Sequence, residues 1–305
     1  MTTLGQTPSI HSPDATYRRH DMIVIRTPHD MLSWAKAQRT SVSVAGFVPT
    51  MGALHEGHMS LMRLARQQCE TVVVSIFVNP TQFNQPTDFE TYPRPEAEDL
   101  AVCEACGVDV VFVPTAEQMY PRGYATTVLP EGVADTMEGA SRPGHFAGVT
   151  TIVTKLFNCV APDRAYFGEK DFQQLAVVKQ LVRDLNLGVT IVPVPTVRDK
   201  DGLALSSRNA RLSLKERTAA GLIPVILWEA QCMARDGRQT IDVVGHVSMR
   251  LRDVPYSRID YVTVVDGDSL STVDVPDEGS VLAIAVWVGD VRLIDNVPLL
   301  GQLVR

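Results

Sequence analysis

A chain of 305 residues, 45% hydrophobic and 21% charged, has the composition of a globular protein and a length at the limit of about 250–300 residues where one core stops growing, so one large domain and a smaller one are expected. Lys and Arg number 28 against 35 Asp and Glu, and the formal net charge of −7 argues against nucleic acid as a partner, since phosphate backbones demand clustered positive charge. The longest apolar runs, Thr71–Val78 and Val281–Val288, are strand-length where a membrane helix needs about 20 residues, and five scattered cysteines make no disulfide framework.

Residues 1–21 read as a loose extension. No apolar core follows Met1, so no secretory signal is expected there, and the chain is expected in the cytoplasm. From residue 42 onward, short β-branched runs alternate with amphipathic stretches, the pattern of a parallel sheet covered on both faces. The predicted fold class is α/β: a doubly wound, Rossmann-like parallel sheet with a smaller C-terminal α+β domain. Strands are expected at Val42–Val48, Val72–Val78, Val108–Val113, Ala165–Phe167 and Val189–Val194. Glu96–Cys106 reads as a helix. Its Cys103-Glu-Ala-Cys106 has metal-ligand spacing, but no second Cys or His pair follows, so two small half-buried helix residues are expected. Val149, Ile152, Val153, Leu156, Phe157 and Val160 fall on one stripe of a helix and read as core. A further helix is expected from Asp171 to Asn186–Gly188, where Gly is a natural stop.

Pro193–Gly202, rich in Pro and charge, reads as a linker with its hinge at Val197–Asp201. Placing the boundary at Pro195 divides the chain into the extension 1–21, a large domain 22–195 and a small domain 196–305. Ser213-Leu-Lys-Glu216 is a capping box that opens one long helix to about Arg235. A helix over Ile241–Arg252 and strands at Ile259–Val265, Ser280–Trp287 and Arg292–Asp295 complete the small domain.

The sharpest local signal is Phe47-Val-Pro-Thr-Met-Gly-Ala-Leu-His-Glu-Gly-His58, which runs from a strand into a helix expected near Met59. A helix N-terminus presents free N–H groups and partial positive charge, and His55 and His58 add donors aimed at the same point. Gly52 and Gly57 let the backbone approach a ligand closely. Phosphate is the guest this favours; the plainer reading makes both histidines capping residues. There is no Gly-Lys-Ser/Thr of a P-loop and no G-x-G-x-x-G spacing. Asn79 and Gln82 follow the next strand directly, where open α/β sheets place their ligand crevice, although Asn79-Pro80 also suits a simple turn. Gly168-Glu-Lys-Asp171 repeats the pattern at another strand end, with Lys170 a point charge for phosphate or a member of an exposed ion-pair cluster.

The His-x-Gly-His arrangement resembles that of the nucleotidylyltransferase superfamily. Together with Ser75-Ile-Phe-Val-Asn-Pro-Thr-Gln-Phe83, Tyr92-Pro-Arg94, Arg142-Pro-Gly-His-Phe-Ala-Gly148, Phe167-Gly-Glu-Lys-Asp-Phe-Gln-Gln174 and Leu205-Ser-Ser-Arg-Asn209, all in order, it makes the chain from about 22 to 298 resemble the pantothenate synthetase family. The resemblance implies ATP-dependent condensation of (R)-pantoate with β-alanine through a pantoyl adenylate, in pantothenate and coenzyme A biosynthesis, with AMP and diphosphate released. It implies ATP contacts at Met51, Gly52, Ala53, Leu54, His55, Glu56, Gly57 and His58, at Gly168, Glu169, Lys170 and Asp171, and at Val197, Leu205, Ser206, Ser207 and Arg208. Gln82, Gln174 and Asn79 would hold pantoate, because neutral amides bind a hydroxy acid without trapping it as a tight ion pair.

His58 would be the proton donor at the α-phosphate, with His55 beside it and Lys170 as a further cation. Ser206, Ser207 and Arg208 occupy the superfamily's mobile phosphate motif, where family members usually carry Met in place of Leu205. Mg²⁺ is expected with ATP, with Asp99 and Glu98 as candidate ligands, while Arg142, His145 and Phe146 would line the site. The likeness also suggests a homodimer. Two alternatives are a nucleotidylyltransferase that transfers AMP to a phosphate acceptor and an ATP-sensing module without turnover.

Overall fold

The computed structural model describes residues 22–38 and 43–304; the extension 1–21 and Val42 lie outside the described residues. In chain order the large unit contains β1 (Ile23–Ile25), α1 (Pro28–Gln38), β2 (Ala45–Thr50), α2 (Glu56–Gln68), β3 (Thr71–Ile76), α3 (Pro86–Glu90), α4 (Glu96–Ala105) and β4 (Val110–Phe112). It continues with α5 (Ala116–Met119), α6 (Met137–Ser141), α7 (His145–Val160), β5 (Arg164–Gly168), α8 (Phe172–Asp184) and β6 (Thr190–Val194). The small unit is α9 (Leu214–Ala220), α10 (Ile223–Arg235), α11 (Thr240–Arg252), β7 (Ser257–Asp266), β8 (Ser280–Val288) and β9 (Val291–Pro298).

All six strands of the large sheet are parallel, in the order β1-β4-β3-β2-β5-β6. The chain builds outward from β2 through β3 to β4 on one side and from β5 to β6 on the other. The switch point therefore falls between β2 and β5, where doubly wound sheets leave a crevice at the strands' carboxyl ends. Cores on both faces explain the β-branched strands: Phe47, Phe157 and Phe167 pack edge-on in one, and Val48, Met62, Val74 and Val111 fill the other. Fully burying each such aromatic contributes about 1.5–3 kcal/mol. In the small unit, α10 and α11 cover the antiparallel sheet β7-β8-β9 around Leu227, Val247, Leu282 and Val286.

Several expectations need correction. Strand β1 and helix α1 were not anticipated, and β2 runs to Thr50, two residues past the predicted end. Helix α2 begins at Glu56 rather than near Met59, because His55 caps it. The long helix predicted from Ser213 to Arg235 is two helices. The capping box at Ser213 and Glu216 forms as expected, but α9 stops at Ala220, and Pro224 lies in the first turn of a new helix, where its missing N–H costs nothing. Strand β9 is longer at both ends than Arg292–Asp295.

The two units meet through polar struts. Arg292 on β9 makes a bidentate pair with Glu138 on α6 at 2.7 and 2.8 Å, and Tyr261 donates to the same carboxylate at 2.9 Å. Burial pushes Glu138 up, but hydrogen bonds and charge from Arg292 outweigh it and hold the carboxyl below its ordinary range. Arg198, inside the predicted hinge, pairs bidentately with Asp295 at 2.7 and 2.9 Å.

Candidate active site

Between β2 and α2 the backbone passes through the left-handed region at Gly52 (φ 79°) and Ala53 (φ 50°). At Gly52 a side chain has no room, since a Cβ would lie 2.8 Å from Asp99 Oδ2. Asp99, in the first turn of α4 and 2% exposed, accepts the Ala53 N–H at 2.9 Å and the Leu54 N–H at 2.7 Å, while the Gly52 N–H donates to Thr50 Oγ1 at 3.2 Å. The amides of Gly52, Ala53 and Leu54, expected against ATP, are thus taken up within the protein. Asp99 anchors the loop and is not presented as a metal ligand; its neighbour Glu98 is exposed. Glu56 is likewise turned to solvent, paired with Arg63.

The loop's purpose is to deliver the two histidines. His55 Nδ1 accepts the Gly57 N–H at 3.1 Å, and His58 Nδ1 accepts the His55 N–H at 3.3 Å, a capping box in which imidazole replaces the usual hydroxyl and carboxylate. With both Nδ1 atoms accepting, a neutral ring must carry its proton on Nε2. Burial, together with the charge of Lys170, lowers both rings' pKa values, and burial, His55 and Lys170 bring His58 to about 3. His58 is therefore a neutral ring whose Nε2–H is free to donate a hydrogen bond. The rings lie 4.2 Å apart, centroid to centroid, at the N-terminus of α2.

Beyond β3, Asn79 is 1% exposed and fully engaged. Its Oδ1 accepts from Tyr120 Oη at 2.7 Å and Thr81 Oγ1 at 3.0 Å; its Nδ2 donates to Gly148 O at 3.2 Å and Gln82 Oε1 at 3.0 Å. Helix α7 comes so close that a Cβ on Gly148 would lie 2.5 Å from Thr81 O. The Gln82 carbonyl accepts from His145 Nδ1 at 2.8 Å and Arg142 Nη2 at 3.1 Å, and Arg142 Nη1 donates to His145 Nε2 at 3.2 Å. Burial, reinforced by Arg142, holds His145 neutral with its pKa pushed down to about 4. Arg142 and His145, expected as walls, brace the Gln82 loop, and Arg142 also lines the space between the two units. Asn79 fixes Gln82 in the same way, so its amide has nothing left over for a ligand. Gln174, one turn beyond Lys170, makes no side-chain hydrogen bond among the described residues, so its amide is available.

At the end of β5, Asn296 of β9 donates to the carbonyls of Glu169 and Lys170 at 2.9 and 3.0 Å, so the small unit fixes this turn. Lys170 Nζ is 3.9 Å from Asp171. Beyond residues 197–201, Ser206 Oγ accepts the Arg208 N–H at 3.2 Å and Arg208 Nη2 donates to Asp88 at 3.1 Å.

These elements enclose a cleft of about 220 Å³. Met51, His55, Gly57, His58, Asn79, Gln82, Gly168, Lys170, Asp171, Gln174, Val197, Leu205, Ser206, Ser207 and Arg208 all line it; Gly52, Ala53, Leu54, Glu56, Glu169, Glu98 and Asp99 do not. The α7 stripe read as core also contributes Val149, Ile152, Val153 and Leu156 to its wall. Tyr92 and Thr196 join the lining unpredicted. A wider cavity of about 510 Å³ between the units shares Lys170, Asp171, Ser206 and Arg208 with it.

Neutral imidazoles, Lys170, Arg208 and amides make a donor set for anionic oxygens. Among the described residues no three His, Cys, Asp or Glu converge as metal ligands, and Asp99 and Glu98, expected to hold Mg²⁺, do not line the cleft. Burial pushes the Cys103 thiol up to about 12, which keeps it protonated and inert.

The sequence profile of the family described as Pantoate-beta-alanine ligase matches residues 23–298. The pantothenate synthetase of Acetivibrio thermocellus is 49% identical over 277 residues, covering 90% of this chain and 99% of that protein. That of Moorella thermoacetica is 50% identical over 266 residues, covering 87% and 94%. Among solved structures, pantothenate synthetase from Thermus thermophilus superposes with a TM-score of 0.87 at 42% identity over 92% of this chain and 100% of that one. The pantoate-beta-alanine ligase of Francisella tularensis, complexed with β,γ-ATP and β-alanine, gives 0.75 at 34% identity over 92% and 99%.

Proposed function

The chain belongs to the pantoate-β-alanine ligase family, and from that premise we propose that it joins (R)-pantoate to β-alanine at this cleft by way of a pantoyl adenylate. The observation that carries the site assignment is the tautomer lock: both Nδ1 atoms accept backbone N–H groups, so both Nε2–H groups are left for a phosphate at the N-terminus of α2.

Pantoate lies against Gln82 and the unpaired amide of Gln174, and its carboxylate attacks the α-phosphorus of ATP. A new C–O–P bond forms as the α–β bridge bond breaks, and diphosphate leaves with the electron pair. Negative charge accumulates on the non-bridging and leaving oxygens, where preset donors that need no reorganisation stabilise it most. His55, His58 and Lys170 fill that role at the α-phosphate, and Ser206, Ser207 and Arg208 grip the β- and γ-phosphates. Mg²⁺, when bound, supplies charge neutralisation on the phosphate oxygens. The amine of β-alanine then attacks the acyl carbon, loses a proton, and AMP departs.

In this reading residues 22–195 bind ATP and pantoate and 196–305 act as the lid. A homodimer in the cytoplasm completes it; exposed Ile23 and Val24 on the edge strand β1 favour self-association. The alternatives divide cleanly. Diphosphate release that requires pantoate rules out a sensor, and AMP release that requires β-alanine rules out simple adenylyl transfer.

A further inference from the structure

Asp88 belongs to α3 of the large unit, yet both its oxygens face the motif that follows the hinge. Arg208 Nη2 donates to Oδ2 at 3.1 Å and Arg211 Nη1 to Oδ1 at 3.0 Å. The carboxylate is 26% exposed; burial pushes its pKa up, but the two guanidinium groups outweigh this and hold it below the ordinary range, so it stays ionised at neutral pH. Arg208 commits one side-chain N–H to Asp88, and its other guanidinium N–H groups make no bond among the described residues. It is also one of the few residues shared by the narrow cleft and the wider cavity. Arg211 lines only the wider cavity.

We infer that Asp88 is a positioning residue for the reaction: it holds Arg208 from behind, with the free edge of the guanidinium toward the triphosphate, while Arg211 shares the carboxylate and steadies it. The inference rests on the reading of Ser206–Arg208 as a phosphate grip. One carboxylate between two guanidinium groups leaves net positive charge, so the strut orients Arg208 without neutralising the site. A long side chain ordered before the ligand arrives also forfeits less conformational freedom on binding.

The test is single-turnover adenylation with ATP and pantoate for Asp88→Asn, Arg208→Lys and the double variant. Asp88→Asn keeps the shape and removes the charge. Misplacing one gripping group is expected to slow adenylation about tenfold, leaving attack of β-alanine on preformed adenylate within about twofold of the parent. Because Asp88 acts through Arg208, adding Asp88→Asn to Arg208→Lys should slow the step by less than about twofold more. An equal tenfold loss in both backgrounds, or a normal rate in Asp88→Asn while Arg208→Lys is slowed, overturns the inference and leaves the phosphate grip standing. A normal rate in Arg208→Lys removes the grip itself, and the inference with it. If Asp88→Asn does not fold, Asp88→Glu, which lengthens the strut and keeps its charge, carries the same comparison.

Discussion

Replacing Asp99 with Asn tests whether the histidines owe their placement to a residue that touches no substrate. Asp99 accepts two backbone N–H groups, at 2.7 and 2.9 Å, from a loop whose Gly52 and Ala53 both have positive φ. An Asn amide can accept only one of them, and its own NH₂ then faces the other donor. A buried N–H left without an acceptor costs about 1–3 kcal/mol, and loss of the charge weakens the bond that remains. Against this, burial pushes the Asp99 carboxyl up more than the two N–H groups lower it, so removing the charge returns part of the loss. The net expectation is about 2 kcal/mol, equivalent to about thirty-fold in population of the competent loop. Urea denaturation should register the destabilisation, and kcat/KM for ATP should fall by between about tenfold and thirty-fold with KM for β-alanine unmoved. A variant within about twofold of the parent in kcat/KM and within about 0.5 kcal/mol in stability would mean that the loop holds its shape without Asp99.

His55→Ala or His58→Ala should each lower kcat/KM for ATP by about 10²–10³, the usual loss for one preset donor, and near-normal turnover in both would remove them from the mechanism. Burial brings His58 to about 3, so that ring stays neutral as pH falls from 8 to 6, and burial with Lys170 places any titration of His55 below the ordinary 6.5; a loss of kcat/KM for ATP titrating at or above 6.5 would contradict the neutral donors. His145 binds a proton in the unfolded chain near pH 6.5 but in the fold only near 4, so stability falls as pH drops between those values, by about 2 kcal/mol at pH 5. His145→Gln should shrink that loss in urea titrations, and an unchanged slope would place the acid sensitivity elsewhere. Gly148→Ala, whose new Cβ meets Thr81 O at 2.5 Å, should raise KM for pantoate by displacing Gln82; an unaltered KM would disconnect that loop from pantoate.

The sheet was legible because strands buried on both faces read as β-branched runs, and the histidine loop because a strand, two glycines and a helix lie within one short segment. Strand β1 escaped notice as three residues between a polar stretch and Pro28, paired to the sheet only through β4. The break between α9 and α10 hides in a continuous apolar pattern that Pro224 interrupts where a proline is tolerated. Loss of legibility was greatest for residues that act at a distance. Nothing beside Asp99 in the chain reveals that its hydrogen-bond donors come from Ala53 and Leu54, and the adjacent Glu98 makes the pair resemble metal ligands. Arg142 and His145 stood in a recognisable segment, but only the fold discloses that they face the Gln82 carbonyl. Asn79 illustrates the converse: its place at a strand end was evident, while its complete engagement by Tyr120, Gly148, Thr81 and Gln82 was not.

The proposed chemistry stands on attack by a pantoate carboxylate oxygen at the α-phosphorus, and that oxygen can be followed. Pantoate labelled with ¹⁸O in its carboxylate, turned over with ATP and β-alanine, should pass one labelled oxygen to AMP and none to diphosphate, with AMP appearing only when β-alanine is present. Unlabelled AMP, or label in the diphosphate, would contradict a pantoyl adenylate at this site.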